Sequence, residues 1–485
     1  MAGHGNRASL TLAPDLPTFA DRRGSLPLST LRAHGITHLK HTILLPSILA
    51  VGFLGTAHGA NQSLDESAAR EAAQLLPLYR QIHAAPELSH HERQTSALLA
   101  RELRAAGYEV TEHVGKYPDP RLQGYGVVAV MRNGKGPTVL VRADMDALPV
   151  EEQTQVSYAS HVRMPDDSGT EVPVMHACGH DIHTSVLIGT ARLLASSRHS
   201  WKGTLVLIGQ PSEEKGDGAR AMLADGLYTR FPRPDFAVAL HDFSDLETGT
   251  VGYISGYMLA GATSVDVTLR GRGGHGAYPQ FTKDPIVMAS EFVMALQTIV
   301  SRENAPTDPA VVTVGSIHGG TKYNIIPDEV KLQLTIRTYK PEVRQHILDA
   351  LVRIANGIAM AAGVPADRLP TVKVNESEQA TPIYNDPALT GRVVASLQRA
   401  LGRDKVLPLE PMMGSEDFGA YGLEGRQIPS VLFRLGAIDA ARIAQSKASH
   451  IPLPSLHSSL FLPDPEPTLR TGIAAMTQVV LDLMH

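Results

Sequence analysis

Only one cysteine, Cys178, occurs in 485 residues. That excludes an intrachain disulfide framework and leaves a single thiol whose place needs a reason. No run of basic residues is long enough for a nucleic-acid surface, and 44 Lys plus Arg against 49 Asp plus Glu give a formal charge of −5. Internal repeats and low-complexity tracts are absent as well. What remains is 43% hydrophobic and 19% charged, with 42 Gly and 33 Pro, an ordinary globular composition that excludes disorder, collagen-like repeats and a coiled coil. The length predicts two or three domains at ~100–200 residues each.

The first sixty residues do not read as fold. Up to Lys40 they hold Arg7, Arg22, Arg23, Arg32 and Lys40 against Asp15 and Asp21. An apolar run from Ile43 to Ala57 then ends in small residues. It falls short of the ~20 residues of a spanning helix. A basic approach, a short apolar core and a small-residue cut site predict a signal peptide at about residues 40–60 and a secreted or periplasmic protein. A retained anchor and a buried helix are the alternatives.

Helical periodicity covers 67–83 and 92–106. Strand-like runs at 127–131, 138–142, 204–208 and 236–240 alternate with a helical stretch at 184–194. This is the pattern of a helix-flanked α/β layer with buried strands. Between residues 260 and 376 the texture changes to four strand-like and two helical segments. The fold expected is therefore an α/β catalytic domain (65–255 and 380–485) built on a mixed sheet, with an inserted α+β lid of two helices on a four-stranded sheet.

The chemistry concentrates in short segments. Met175-His-Ala-Cys-Gly-His-Asp-Ile-His183 packs the lone cysteine, three histidines and an aspartate into nine residues. Cys178 and His180 are two apart, so on a looped or extended backbone both point the same way. Thiolate and imidazole are ligands that zinc and similar metals prefer. Gly209-Gln-Pro-Ser-Glu-Glu214 places adjacent carboxylates at a strand terminus, where one can bind a cation while its neighbour works as general base. His241 is expected just past another strand, and His457 follows a Pro-rich loop. Sites of open α/β sheets gather at such strand ends.

Further motifs carry a family resemblance. Arg142-Ala-Asp-Met-Asp-Ala-Leu-Pro149, His176-Ala-Cys-Gly-His-Asp181, Gln210-Pro-Ser-Glu-Glu214, Gly273-Gly-His-Gly-Ala277, Asn324-Ile-Ile-Pro-Asp328 and Gly414-Ser-Glu-Asp-Phe418 occur in that order. Together they make residues 70 to 484 resemble the aminoacylase–carboxypeptidase metallohydrolases. The branch resembled is the N-acyl-amino-acid amidohydrolases, which includes hippurate and plant auxin-conjugate hydrolases. The resemblance implies a two-metal centre ligated by Cys178, His180, Glu214, His241 and His457, with zinc the first expectation and manganese, cobalt or nickel as alternatives. It makes Glu213 the general base, and Asp144 and Asp146 residues that orient the ligands. It also implies that His275 stabilises the oxyanion, reaching from the lid into the partner subunit of a homodimer, and that Asn324 and Arg337 hold the substrate carboxylate. One departure is Gln280, where the branch often has histidine. The activity implied is cleavage of an N-acyl or N-aroyl amino acid. The alternatives are a secreted di-, carboxy- or aminopeptidase of the same fold, or a non-catalytic metal-binding relative. A purely binding protein has no need of Glu213 beside Glu214.

Overall fold

The computed structural model describes residues 55–485. The expected leader lies outside them except for its end, which begins the helix Gly55–Ala84. Among the described residues no helix is long and apolar enough to cross a membrane.

An eight-stranded mixed sheet forms the larger layer. Its order runs Glu109–Val114, Gly126–Asn133, Gly203–Gln210, Thr138–Asp144, Phe236–Glu247, Ser430–Ile438, Val251–Tyr253, Val406–Pro408. The four middle strands are mutually parallel. Their near-continuous burial reflects covered faces on both sides, which alternating sequences could not tolerate. One face packs on helices that include Gly55–Ala84, His180–Ser196 and Pro465–Leu483 around Leu75, Ile188, Phe433 and Ile473. The other packs on Leu140, Ile208, Met258 and Phe418.

Three expected boundaries change. The helix expected at 184–194 begins at His180, so the motif histidine sits in a first helical turn. The strand expected at 236–240 continues to Glu247, and His241 therefore lies within it. The reason is that Thr138–Asp144 stops pairing at Ala239, whereas Ser430–Ile438 continues pairing past His241. Leu240 is thus the first residue in register with a neighbour on one side only, and His241 follows it. The last lid strand runs to Ala380, beyond the expected end at 376.

The inserted lid is an antiparallel sheet ordered Ala310–His318, Glu329–Thr338, Gly261–Arg270, Thr371–Ala380. Helices Pro285–Thr298 and Pro341–Ala361 cover it over a core of its own containing Phe292, Leu332, Ile336 and Ile347. Strict alternation along Gly261–Arg270 gives one face to that core. Asp284 caps the first lid helix through Ile286 N, with Pro285 in the first turn, where its missing N–H costs nothing.

One buried contact ties the first helix to the motif helix. His83 Nδ1 lies 2.7 Å from Asp181 Oδ2 and its Nε2 lies 3.0 Å from Glu152 Oε1. Burial pulls the pKa of His83 down, but its hydrogen bonds to Asp181 and Glu152 outweigh that and raise it to about 9. A raised folded-state value stabilises fully below the unfolded value of about 6.5 and is lost as pH climbs through 9. We therefore predict that the wild-type protein loses on the order of 3 kcal/mol between pH 6.5 and 9.5 from this site. Chemical denaturation across that range should show a flatter profile for His83→Gln, and equal slopes would refute the assignment.

Candidate metal centre

The five expected ligands come from four chain segments that meet at the carboxyl end of the middle strands. The loop carrying Cys178 is held by paired bonds between Leu148 and Met175. Gly179 follows with φ 76° against the Asp242 carboxylate. A Cβ at Gly179 would overlap that carboxylate, and the positive φ disfavours other residues. His457 is drawn to the same loop by its N–H donating to Ala177 O at 2.8 Å. It adopts φ 67°, a costly conformation for a non-glycine residue.

Two overlapping clusters result. Cys178, His180 and His241 bring donor atoms within 4.8 Å of one another, and so do Cys178, Glu214 and His457. Cys178 belongs to both. Its Sγ lies 3.5 Å from His241 Nε2, while Glu214 faces His180 Nε2 at 3.8 Å and His457 Nε2 at 3.5 Å.

The imidazoles are oriented as ligands. His180 Nδ1 donates to the Asp146 carbonyl at 2.8 Å, and His241 Nδ1 to the Asp242 carbonyl at 2.6 Å. Each Nε2 then keeps its lone pair, the arrangement that outer partners impose on metal-binding histidines. His180 Nε2 and Glu214 Oε1 are buried without hydrogen-bond partners. Buried polar atoms seldom stay unpaired, and thiol, imidazole and carboxylate donors fit a pair of divalent cations. His183 is different. Its Nδ1 lies 2.5 Å from Asp144 Oδ1, and its Nε2 lies 3.0 Å from Asp242 Oδ1 and 2.9 Å from Asp242 N, so both nitrogens are occupied.

Asp146 contacts the expected ligand segments directly, whereas the side-chain hydrogen bonds of Asp144 go to His183 and Arg142. Asp146 Oδ2 accepts Ser89 Oγ at 2.6 Å and Glu214 N at 3.0 Å, which fixes the turn bearing both glutamates. Ser212 starts that turn at φ 53° and donates its N–H to Glu92 at 2.7 Å. Asp144 stands between His183 and Arg142, 2.5 Å from each. Arg142 also reaches Glu416 at 2.7 Å and Asp417 at 3.2 Å. Nothing in residue type alone singled out this clamp. The signal available was the unbroken apolar strand that ends in a lone arginine.

Electrostatics favour cations here. Burial, then Glu416 and Glu214, push the Glu213 carboxyl well above the carboxylate range, with Arg142 opposing. Glu214 rises to about 7 through burial, although His180 draws it down. Burial and the neighbouring carboxylates also push the Cys178 thiol up.

A cavity of about 590 Å³ opens on this cluster. Cys178, Glu213, Glu214, His241 and His457 form one wall, and Arg337 of the lid reaches it from the other side. Arg337 Nη1 donates to Ser415 Oγ at 2.5 Å. His275 and Asn324 do not join them. Both are exposed, His275 on a small outlying pair of strands, Gly274–His275 with Ile325–Ile326, and Asn324 in the turn that precedes the second of these, and neither lines the cavity. The expectation that Asn324 and Arg337 together hold the substrate carboxylate is therefore not tested within one chain, where only Arg337 lines the cavity.

Comparison with known proteins agrees with this architecture. The model for Peptidase family M20/M25/M40 matches residues 140–460. The N-acetyl-L-cysteine deacetylase of Bacillus subtilis is 36% identical over 349 residues, 72% of this chain and 77% of that protein. Thermostable carboxypeptidase 2 of Saccharolobus solfataricus is 36% identical over 365 residues, covering 75% and 85%. The solved Bacillus subtilis YXEP protein, a dinuclear metal-binding peptidase, aligns with a TM-score of 0.66 at 28% identity, covering 86% of this chain and 99% of that one. The chain belongs to Peptidase family M20/M25/M40, metal-dependent hydrolases of amide bonds with a dinuclear centre.

A raised thiol must lose its proton to become a ligand. Titrating metal-free protein with Zn²⁺ at pH 7 should release protons and protect Cys178 from alkylation. Equal labelling rates with and without metal would exclude Cys178 as a ligand.

Proposed function

We propose that the protein hydrolyses N-acyl or N-aroyl amino acids to a carboxylic acid and a free amino acid. The observation that carries this reading is the single cavity that joins Glu213, the donor cluster and Arg337. Zinc is the proposed metal because a thiolate and imidazoles dominate the donor set.

Cys178, His180, Glu214, His241 and His457 would hold the two cations, which when bound polarise the amide carbonyl and acidify a water. Glu213 takes the proton of the attacking water and delivers it to the leaving amine. Its buried, carboxylate-rich surroundings favour holding that proton between the two events. Arg337 pairs with the substrate carboxylate, for which a guanidinium is suited by its bidentate geometry. Fixing that end holds the scissile bond against Glu213.

His275 enters this scheme through a second copy of the chain. Tyr278 packs beside it and Ile325 pairs with it, both exposed, and Phe281, Ile286 and Met294 are further exposed apolar residues of the lid; apolar exposure of this extent favours an interface. The reading is a homodimer whose lids exchange His275, with Asn324 beside it. Export from the cytoplasm is proposed on the basic approach and the apolar run at 43–57.

Peptide hydrolysis is the second reading, supported by the carboxypeptidase relative at equal identity. Arg337 would serve a peptide's terminal carboxylate equally well. Metal-loaded protein assayed on N-acetyl, N-benzoyl and N-lauroyl amino acids and on dipeptides separates the two. Faster turnover of the acylated amino acids is expected, and dipeptides alone being cleaved would overturn the first reading.

Glu213→Gln should keep both metals and lose ~10²–10⁴ in kcat. Normal turnover at unchanged metal content would remove Glu213 from the mechanism. Co-expressed His275→Ala and Glu213→Gln chains should regain activity, since some heterodimers contain one intact composite site. Verified heterodimers that stay inactive would mean that His275 acts within its own chain or not at all, and would refute the shared site.

A further inference from the structure

Three acid-or-hydroxyl residues follow one another at the cavity wall, Ser415, Glu416 and Asp417. They divide between two arginines in an unequal way. Both carboxylates turn to Arg142. Glu416 accepts from its Nη1 at 3.1 Å and Nη2 at 2.7 Å, and Asp417 accepts from Nη2 at 3.2 Å. Their remaining capacity is also used. Glu416 accepts Phe418 N at 2.9 Å, and Asp417 accepts Gln210 Nε2 at 2.7 Å and Ala219 N at 2.9 Å.

Arg337 receives only the neutral member. Its Nη1 donates to Ser415 Oγ, whose own proton goes to Ala260 O at 3.0 Å. Among the described residues no ion pair involves Arg337. The hydroxyl is rigidly placed as well. Ala260 N donates to Gly414 O at 2.9 Å and Met412 N to Met258 O at 3.0 Å, so residues 412–415 run along the segment that leads into the lid.

We propose that Ser415 is a positioning residue that holds Arg337 in place without neutralising it, while Arg142 sequesters Glu416 and Asp417, so that the site selects substrates with a free carboxylate. This rests on the amidohydrolase reading above and deepens it. A carboxylate one residue away would bind Arg337 permanently and compete with substrate. A hydroxyl makes one hydrogen bond and yields to a bidentate anion, which is the stronger partner. Selectivity then comes from a negative charge withheld as much as from a positive charge supplied.

The test compares an N-acyl amino acid with its carboxamide on metal-loaded wild-type, Ser415→Ala and Ser415→Asp proteins. Wild type should prefer the acid. Ser415→Asp should cut that preference roughly tenfold or more, since a charged pair of this kind is worth at least that factor. The loss should fall on KM for the acid, with the carboxamide unchanged. Ser415→Ala should raise KM for the acid severalfold and keep kcat. In an Arg337→Gln background, Ser415→Asp should change nothing further.

An unaltered acid preference in Ser415→Asp at wild-type metal content overturns the proposal. Should that variant not fold, Ser415→Ala decides: a KM rise confined to the acid supports the assignment, and equal losses on both substrates refute it. Failure of the underlying reading looks different, because wild type would then turn over neither compound. Calorimetry with the same N-acyl amino acid still decides in that case, as Ser415→Asp must weaken its binding relative to the carboxamide.

Discussion

The crowding of negative charge at one end of the central sheet is the constraint on which the rest depends. Asp144, Asp146, Glu213, Glu214, Asp242, Glu416 and Asp417 are buried or nearly so within a few segments. Buried carboxylates repel one another and pay heavily for lost water unless cations answer them. The chain supplies one fixed answer, the Arg142 guanidinium in contact with Asp144, Glu416 and Asp417, and a smaller one in His183. The remaining excess is gathered around Cys178 and Glu214. Divalent cations complete the balance there, so the same charges that burden the fold give the site its affinity.

Geometry at that end follows from the strand termini. Thr138–Asp144 stops, Gly203–Gln210 breaks into the Ser212 turn, and past Ala239 Phe236–Glu247 continues with Ser430–Ile438 as its one neighbour. Each departure releases side chains into the same space, where Asp146, Cys178, Glu213 and His241 meet. Backbone strain is spent in the same region, at Ser212, which starts the glutamate turn, and at His457, an expected ligand. The lid brings its own core, and so delivers Arg337 to the cleft as part of a preformed body.

Much of this was legible in the amino-acid sequence, and the gaps have physical causes. The spacing of Cys178 and His180 and the paired glutamates announce metal chemistry because so few other roles fit those residues. The α/β layer and its insertion follow from strand runs that change from continuous to alternating burial. Contacts between distant segments leave no such trace. His83 with Asp181, Arg142 with Glu416 and Ser415 with Arg337 join residues far apart in the chain, and no single residue's type or spacing names its partner. The placement of His241 inside its strand was hidden because it depends on where neighbouring strands stop. His275 is exposed and stands apart from the cavity of its own chain, so nothing within one chain tests the role expected of it.

The central claim is a dinuclear centre in which the only thiol is shared. X-ray absorption at the zinc edge of zinc-loaded protein tests it most directly, with metal content measured on the same sample. Two zinc ions per chain and about one sulfur scatterer per zinc near ~2.3 Å are predicted, with the sulfur shell lost in Cys178→Ser. A shell of nitrogen and oxygen alone in the wild-type protein, or a single ion per chain, would contradict the account.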